Sequence, residues 1–293
     1  MPSTLLPLGQ LLSDAWKLYR KHMRSILMGA ALFGTAVAIM GAVANRRIEG
    51  HIWSGMQRLG FSEEQMMDMR RTLQSGDADA VEKTVQDMGR MTEMMERMTD
   101  EDREAFFARE GMAMMMSVLP VVGFGAFVWL IISLCSTTYF LLLFLGKAQE
   151  PIDLLQMGLH RVLPLLGVWV WSFLRSFAWI PVVGLIPAVV LGPRFLLAPV
   201  FVADKRTGIC ASVEQSHVAT RGHWHKIVGN TFCVGVLVWV ISWVLNSLLM
   251  PVAMSSIVLG ICVHAFVQQL TMAYGAAFLV LLTRTIMANP RST

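Results

Sequence analysis

The sequence predicts an all-α, polytopic integral membrane protein of about six transmembrane helices with a helical extracytoplasmic insert. Three observations predict it. Apolar residues make up 55% of the 293-residue chain, charged residues only 15%, and mean hydropathy is +0.56; soluble chains sit near 45–50% apolar and about 25% charged. Apolar runs of about 20 residues, the length that crosses a bilayer, recur along the chain. The charges are also segregated. Residues 45–110 hold 10 of the 24 Lys and Arg and 15 of the 20 Asp and Glu, a local net of −5 against +9 for the rest. That asymmetry fits a membrane bundle with an acidic insert and excludes a uniformly basic nucleic-acid binder.

Residues 1–24 predict an amphipathic interfacial helix. Leu8, Leu11, Leu12, Ala15, Trp16 and Tyr19 recur at helical spacing, and Lys17, Arg20, Lys21 and Arg24 supply charge. Trp16, Lys17, Arg20 and Lys21 are the side chains that would meet an anionic leaflet. Residues 25–44 form the first span, read as a retained anchor, and are rich in Gly29, Ala30, Gly34, Ala38 and Gly41. Small residues let helices approach closely in lipid.

Residues 45–111 are the acidic, Met-rich insert. A capping-box pattern at Ser62–Gln65 and a break at Gly76–Asp77 predict two or three helices, near 60–75, 78–98 and 100–118. Met88, Met91, Met95 and Met98 repeat at helical spacing. Thioethers are Cu(I) ligands, which makes Met91, Met95 and Met98 the only metal candidates. With no His or Cys nearby, an adaptable apolar seam is the expected use. Such a seam offers a surface for self-association or a protein partner.

Residues 112–293 predict spans 2–6 and a cytoplasmic elbow at 204–226. The 36-residue run from 111 to 146 is interrupted by Pro120, Gly123 and Gly125 and fits either one span or two. The further spans fall at 162–180, 185–203, 227–249 and 252–282. Positive residues flank the N-terminus, the elbow and the tail, and positive loops stay inside. Six spans put all three on the cytoplasmic side and the insert outside. Seven would separate them.

Candidate sites lie where polar groups meet apolar runs. Arg194 sits inside the fourth run between Pro193 and Pro199, and Arg175 lies near the end of the third. An intramembrane arginine suggests a functional or lipid-phosphate role, and a guanidinium fork matches phosphate geometry. His264, Gln268 and Asn246 suggest either interhelical hydrogen bonds or, with Arg194, a polar path for a small solute or ion. Arg221, Trp224 and Lys226 mark a second interfacial cluster. His217, His223 and His225 lack an acid or Cys at ligand spacing. No disulfide frame, metalloprotease, hydrolase or NTPase motif is present, so no catalytic residue, enzyme activity or cofactor is expected.

The elbow carries a resemblance. Arg194, Pro199, Val202-Ala-Asp204, the small residues Ala211, Ser212 and Ser216, and Thr220-Arg-Gly-His-Trp-His-Lys-Ile-Val-Gly229 follow in order. This pattern resembles the six-span membrane domain that precedes some bacterial glycerophosphodiester phosphodiesterases, and its stand-alone relatives. The resemblance covers 1–44 and 112–285 and leaves the insert outside. It implies a bacterial inner-membrane module without settled biochemical activity. The enzyme partner is a barrel of about 250 residues for which these 293 leave no room, so phosphodiesterase activity is not carried over. The expected function is non-enzymatic: binding or organising lipid, or scaffolding partners.

Overall fold

The computed structural model describes residues 7–58, 112–148, 150–177, 192–205, 208–253 and 256–288, with five isolated positions between 58 and 112. Among the described residues the chain is all-helical, without strands. Its helices are α1 (Leu8–Lys21), α2 (Met23–Arg58), α3 (Met112–Leu145), α4 (Pro151–Phe177), α5 (Ala198–Lys205), α6 (Ile209–Thr220), α7 (Trp224–Ala253) and α8 (Ile257–Ala288). Five of these, α2, α3, α4, α7 and α8, are long and apolar enough to cross a membrane.

Several boundaries differ from the sequence expectation, each for a physical reason. The helix that holds the first expected span does not stop at residue 44. Helix α2 continues through Arg46, Arg47 and Glu49 to Arg58, because nothing there breaks a helix and charged residues are good helix formers. Its 36 residues reach about 54 Å at ~1.5 Å per residue, well beyond a ~30 Å hydrocarbon core. The 112–146 run is one helix with Pro120 inside it, and not two spans. The helix that holds the third expected span, 162–180, begins earlier, at Pro151. The insert helices expected between 60 and 111, with Met91, Met95 and Met98, lie outside the described residues.

The fourth expected span, 185–203, is described only from residue 192. There the helix is broken, with a helical turn at 192–195, a non-helical turn at Leu196–Leu197, and then α5. Pro199 explains the break. It has no N–H to give the Phe195 carbonyl, and its ring crowds that turn. Leu197 restarts the ladder, its carbonyl accepting from Val200 and Phe201 at 3.0 and 3.2 Å. In this first turn a proline is tolerated.

The chain divides into two compact units, residues 1–39 with 129–293, and residues 40–128. Of the second, the described part is the later half of α2 and the first half of α3. There Trp53 Nε1 donates to Glu49 Oε1 at 3.3 Å, one turn away.

The first unit is a bundle around α8. Helix α2 runs antiparallel to α8, with Val37 and Ala38 against Ala265. A Cβ on Gly34 would stand 3.3 Å from the Phe266 Cα. Helix α3 runs parallel to α8: Ser136 Oγ meets Met272 Sδ at 3.3 Å, and Arg284 donates to the Phe144 carbonyl at 3.0 Å. Helices α7 and α8 form an antiparallel hairpin. Helix α1 docks Leu11 and Ala15 against Phe278, Leu282 and Ile286. Tyr19 and Tyr274 donate to the Leu270 and Leu12 carbonyls, each at 3.4 Å. The start of α2, the end of α3, the start of α7 and the end of α8 therefore share one end of this bundle.

The α3–α4 turn lies at the same end. Gly146 has φ +73°. Its N–H donates to Leu143 O and that of Lys147 to Leu142 O, both at 3.1 Å. This is the paired-bond ending of a helix on a left-handed residue. A Cβ there is disfavoured by roughly 1–2 kcal/mol, so Gly146→Ala is expected to lower stability by about 1 kcal/mol. A thermal melt of the purified protein checks it; an unchanged midpoint contradicts the assignment.

Candidate functional site

Helix α4 from Arg161 on, the 192–197 turn, α5 and α6 pack into one layer. Val162, Leu165 and Val168 of α4 meet Phe195, Ala198, Val202 and Val213. Gly167 lets the Ile209 side chain lie close against α4; a Cβ there would displace the tip of that side chain. The elbow is thus a packed element, with Ser212, Val213, Ser216 and Thr220 of α6 buried.

The break at Pro199 creates this layer's chemistry, because broken and short helices leave carbonyls without partners. Side chains supply them. Ser216 Oγ donates to the Arg194 carbonyl at 2.6 Å and Thr220 Oγ1 to the same oxygen at 3.3 Å. The carbonyls near the end of the eight-residue α5 are met by Arg161, whose Nη1 donates to Val202 O at 2.6 Å and Ala203 O at 2.8 Å. Arg161 is buried, at 8% exposure. Lys147 closes the same corner on Asp204 at 2.7 Å.

Arg175 and Arg194 come to the outer part of this layer. Arg175 Nη1 bonds Glu214 Oε2 at 3.1 Å, and its guanidinium carbon lies 5.7 Å from the Phe195 ring centroid. Phe195 also meets the His217 ring, centroids 6.1 Å apart. Arg221 is the residue that ends α6 and is exposed. Burial holds the His217 imidazole below its ordinary 6.5, helped by Arg194, Arg175 and Arg221; Glu214 opposes them. The ring is therefore neutral at pH 7. Its Nδ1 is buried without a hydrogen-bond partner among the described residues.

The sign of the pH effect follows. The folded pKa lies below the unfolded one, so just below pH 6.5 the unfolded chain holds a proton that the native ring refuses. Stability falls as pH drops through this window and levels off below the folded pKa. His22, lowered by burial and then by Lys21, acts in the same direction. His217→Gln is expected to flatten part of the loss between pH 7 and 5 in a series of thermal melts. Parallel curves for both proteins would refute the assignment.

The other sequence candidates fall elsewhere. Asn246 of α7 and His264 of α8 meet at 3.3 Å. The carbonyl of Gln268 accepts from Thr271. Trp16 stacks on Tyr19 at 5.6 Å, Lys17 pairs with Asp14 at 2.9 Å, and Arg20 and Lys21 are exposed. Trp224 packs edge-on against His225, and Lys226 is exposed. Among the described residues no group of three or more His, Cys, Asp or Glu is placed to hold a metal ion. Comparison with protein-family models, curated proteins and solved structures finds no match to this chain.

Sequence reasoning missed Arg161 and Lys147. A signal existed: Pro199 forces a helix break, the short helix after it needs cations at its last carbonyls, and these two flank the start of α4.

Proposed function

We propose that this protein is a non-enzymatic integral membrane protein of the bacterial inner membrane that binds or organises anionic lipid. The observation that carries the reading is the meeting of three arginine-bearing elements, with Arg175 against Phe195 and Glu214, the Arg194 carbonyl bonded by Ser216 and Thr220, and Arg221 next in the chain to Thr220, in a chain whose long helices turn apolar side chains outward. On α7, Phe232, Trp239, Trp243 and Leu248 are each 63–70% exposed, as lipid-facing residues would be. On α1, Trp16, Lys17, Arg20 and Lys21 form the face opposite its docked stripe, suited to headgroups.

The topology we propose has six spans, with both termini cytoplasmic and the insert outside. Parity supports it. Helix α3 ends and α7 begins at the same end of the bundle, so the chain between them crosses an even number of times. Crossing by α4 and a return before Asp204, which pairs with Lys147 at the near end of α4, gives six spans. Helix α6, whose Glu214 meets Arg175 at the far end of α4, then lies along α4 and not in a loop at the cytoplasmic face. The resemblance to the phosphodiesterase-associated membrane domain agrees with this plan. The insert is then the surface for self-association or a protein partner.

A transport path through Arg194, His264 and Gln268 is the alternative. The geometry favours it less, because Arg194 is engaged with α6 while His264 is engaged with Asn246. Lipid extraction from protein purified in mild detergent tests the choice. Anionic phospholipid enriched over the bulk membrane is the expected result. Bulk-like composition, together with solute flux in proteoliposomes, would favour transport.

A further inference from the structure

The arginine cluster has more positive charge than its position explains. Among the described residues its members are Arg175 at the end of α4, Arg194 in the 192–195 turn and Arg221 at the end of α6, against one carboxylate, Glu214. A structural ion pair needs one arginine, and Arg175 already meets Glu214 through a single nitrogen. A guanidinium carries five N–H donors in a fixed fork, so Arg175 keeps most of its fork. The guanidinium groups of Arg194 and Arg221 have no protein acceptor among the described residues. The backbone of Arg194 is fixed by two hydroxyls from α6, which sets the root of its side chain. Phe195, 4% exposed, touches both the Arg175 guanidinium and the His217 imidazole. The His217 Nδ1 is buried without a hydrogen-bond partner among the described residues. The three arginines are carried by three elements that meet at α6, which bonds the Arg194 carbonyl through Ser216 and Thr220 and Arg175 through Glu214, and an excess of positive charge there attracts an anion.

We propose that Arg175, Arg194 and Arg221, with His217, form a binding site for a phosphate group, and that the phosphate is a phospholipid headgroup. The tetrahedral oxygens of a phosphate match guanidinium forks bidentately. A monoester such as phosphatidic acid offers more charge and more oxygens to three arginines than a diester does. The aromatic and aliphatic surface beside the cluster, Trp169, Phe173 and Leu174 of α4, is exposed and suits the acyl chains. The inference rests on the lipid reading above and gives that reading its headgroup chemistry.

The test is thermal unfolding of the full chain in neutral detergent. Phosphatidylcholine, phosphatidylglycerol, phosphatidic acid, inorganic phosphate, or chloride at matched ionic strength is added. The wild type is expected to gain several degrees with phosphatidic acid and less with phosphatidylglycerol. It is expected to gain nothing with phosphatidylcholine or chloride. R194Q/R221Q should lose most of the gain, R194K/R221K should keep part of it, and R46Q/R47Q, on α2 in the other unit, should keep all of it. A gain undiminished in R194Q/R221Q would overturn the site while leaving lipid binding elsewhere on the protein intact. A midpoint lowered equally with and without lipid would make the arginines structural only, and would overturn it too. A gain from inorganic phosphate that lipid does not exceed would keep the phosphate chemistry and overturn the lipid source. If neither double variant folds, phosphatidic acid carrying a cross-linking headgroup is used on the wild type. Adducts confined to residues outside 169–175, 192–195 and 214–221 would overturn the proposal.

Discussion

Arg161→Met is expected to destabilise the protein more than any other single change considered. The substitution keeps the aliphatic bulk and removes both bonds to the Val202 and Ala203 carbonyls. Hydrogen bonds from charged groups contribute about 1.5–3 kcal/mol each, and a buried polar group left unpaired costs a similar amount. The two bonds share one nitrogen and do not add fully, so the loss is about 3 kcal/mol. Arg161→Lys retains the charge but not the planar fork and should recover only part. Loss of helical circular dichroism on heating in detergent measures both. A midpoint for Arg161→Met within a degree of wild type would mean that α5 needs no cation at its end.

Gly34→Leu is expected to come next, and to act by a different route. A Cβ at Gly34 meets the Phe266 backbone, at 3.3 Å from Cα and 3.4 Å from N. A helix backbone cannot swing aside as a side chain can, so a leucine must push α2 away from α8. Overpacking of this kind costs about 1–3 kcal/mol. It also opens the contact of Val37 and Ala38 with Ala265. Gly29 is the contrasting case. Its Cβ would meet the tip of the Tyr139 ring at 2.6 Å, and that ring is itself buried and bonded to the Ser25 carbonyl at 3.1 Å. Gly50→Leu, where nothing lies within 4 Å, is the control in the same helix. Equal melting of Gly34→Leu and Gly50→Leu would remove close α2–α8 packing from the account.

The helical class and the apolar helices were legible because both rest on composition and on run length. The small-residue face of α2 was legible for the same reason, and Gly34 shows its use. Helix ends were less legible. Hydropathy changes at residue 44, yet a helix is stopped by missing N–H groups or by turn residues, not by charge, so α2 runs on through Arg46 and Arg47. Within the candidate site, the sequence pointed to Arg194 and Arg175 through their placement in apolar runs. It did not show that Glu214 and His217 face them, because that depends on α6 folding back along α4. The site of Arg161 was hidden because its partners are backbone carbonyls, which every residue has. Only the fold reveals which carbonyls a break at Pro199 leaves in need of a cation.

The central claim is a six-span protein whose termini share the cytoplasmic side while the insert faces out. Site-directed thiol labelling tests it most directly. Cys135, Cys210, Cys233 and Cys262 are first replaced by Ser or Ala. A single cysteine is then introduced by Ala80→Cys in the insert or by Ser292→Cys in the tail. A membrane-impermeant maleimide applied to intact spheroplasts is expected to label the Ala80→Cys protein and to spare the Ser292→Cys protein until the membrane is opened. Labelling of both before the membrane is opened, or of neither, would contradict the account.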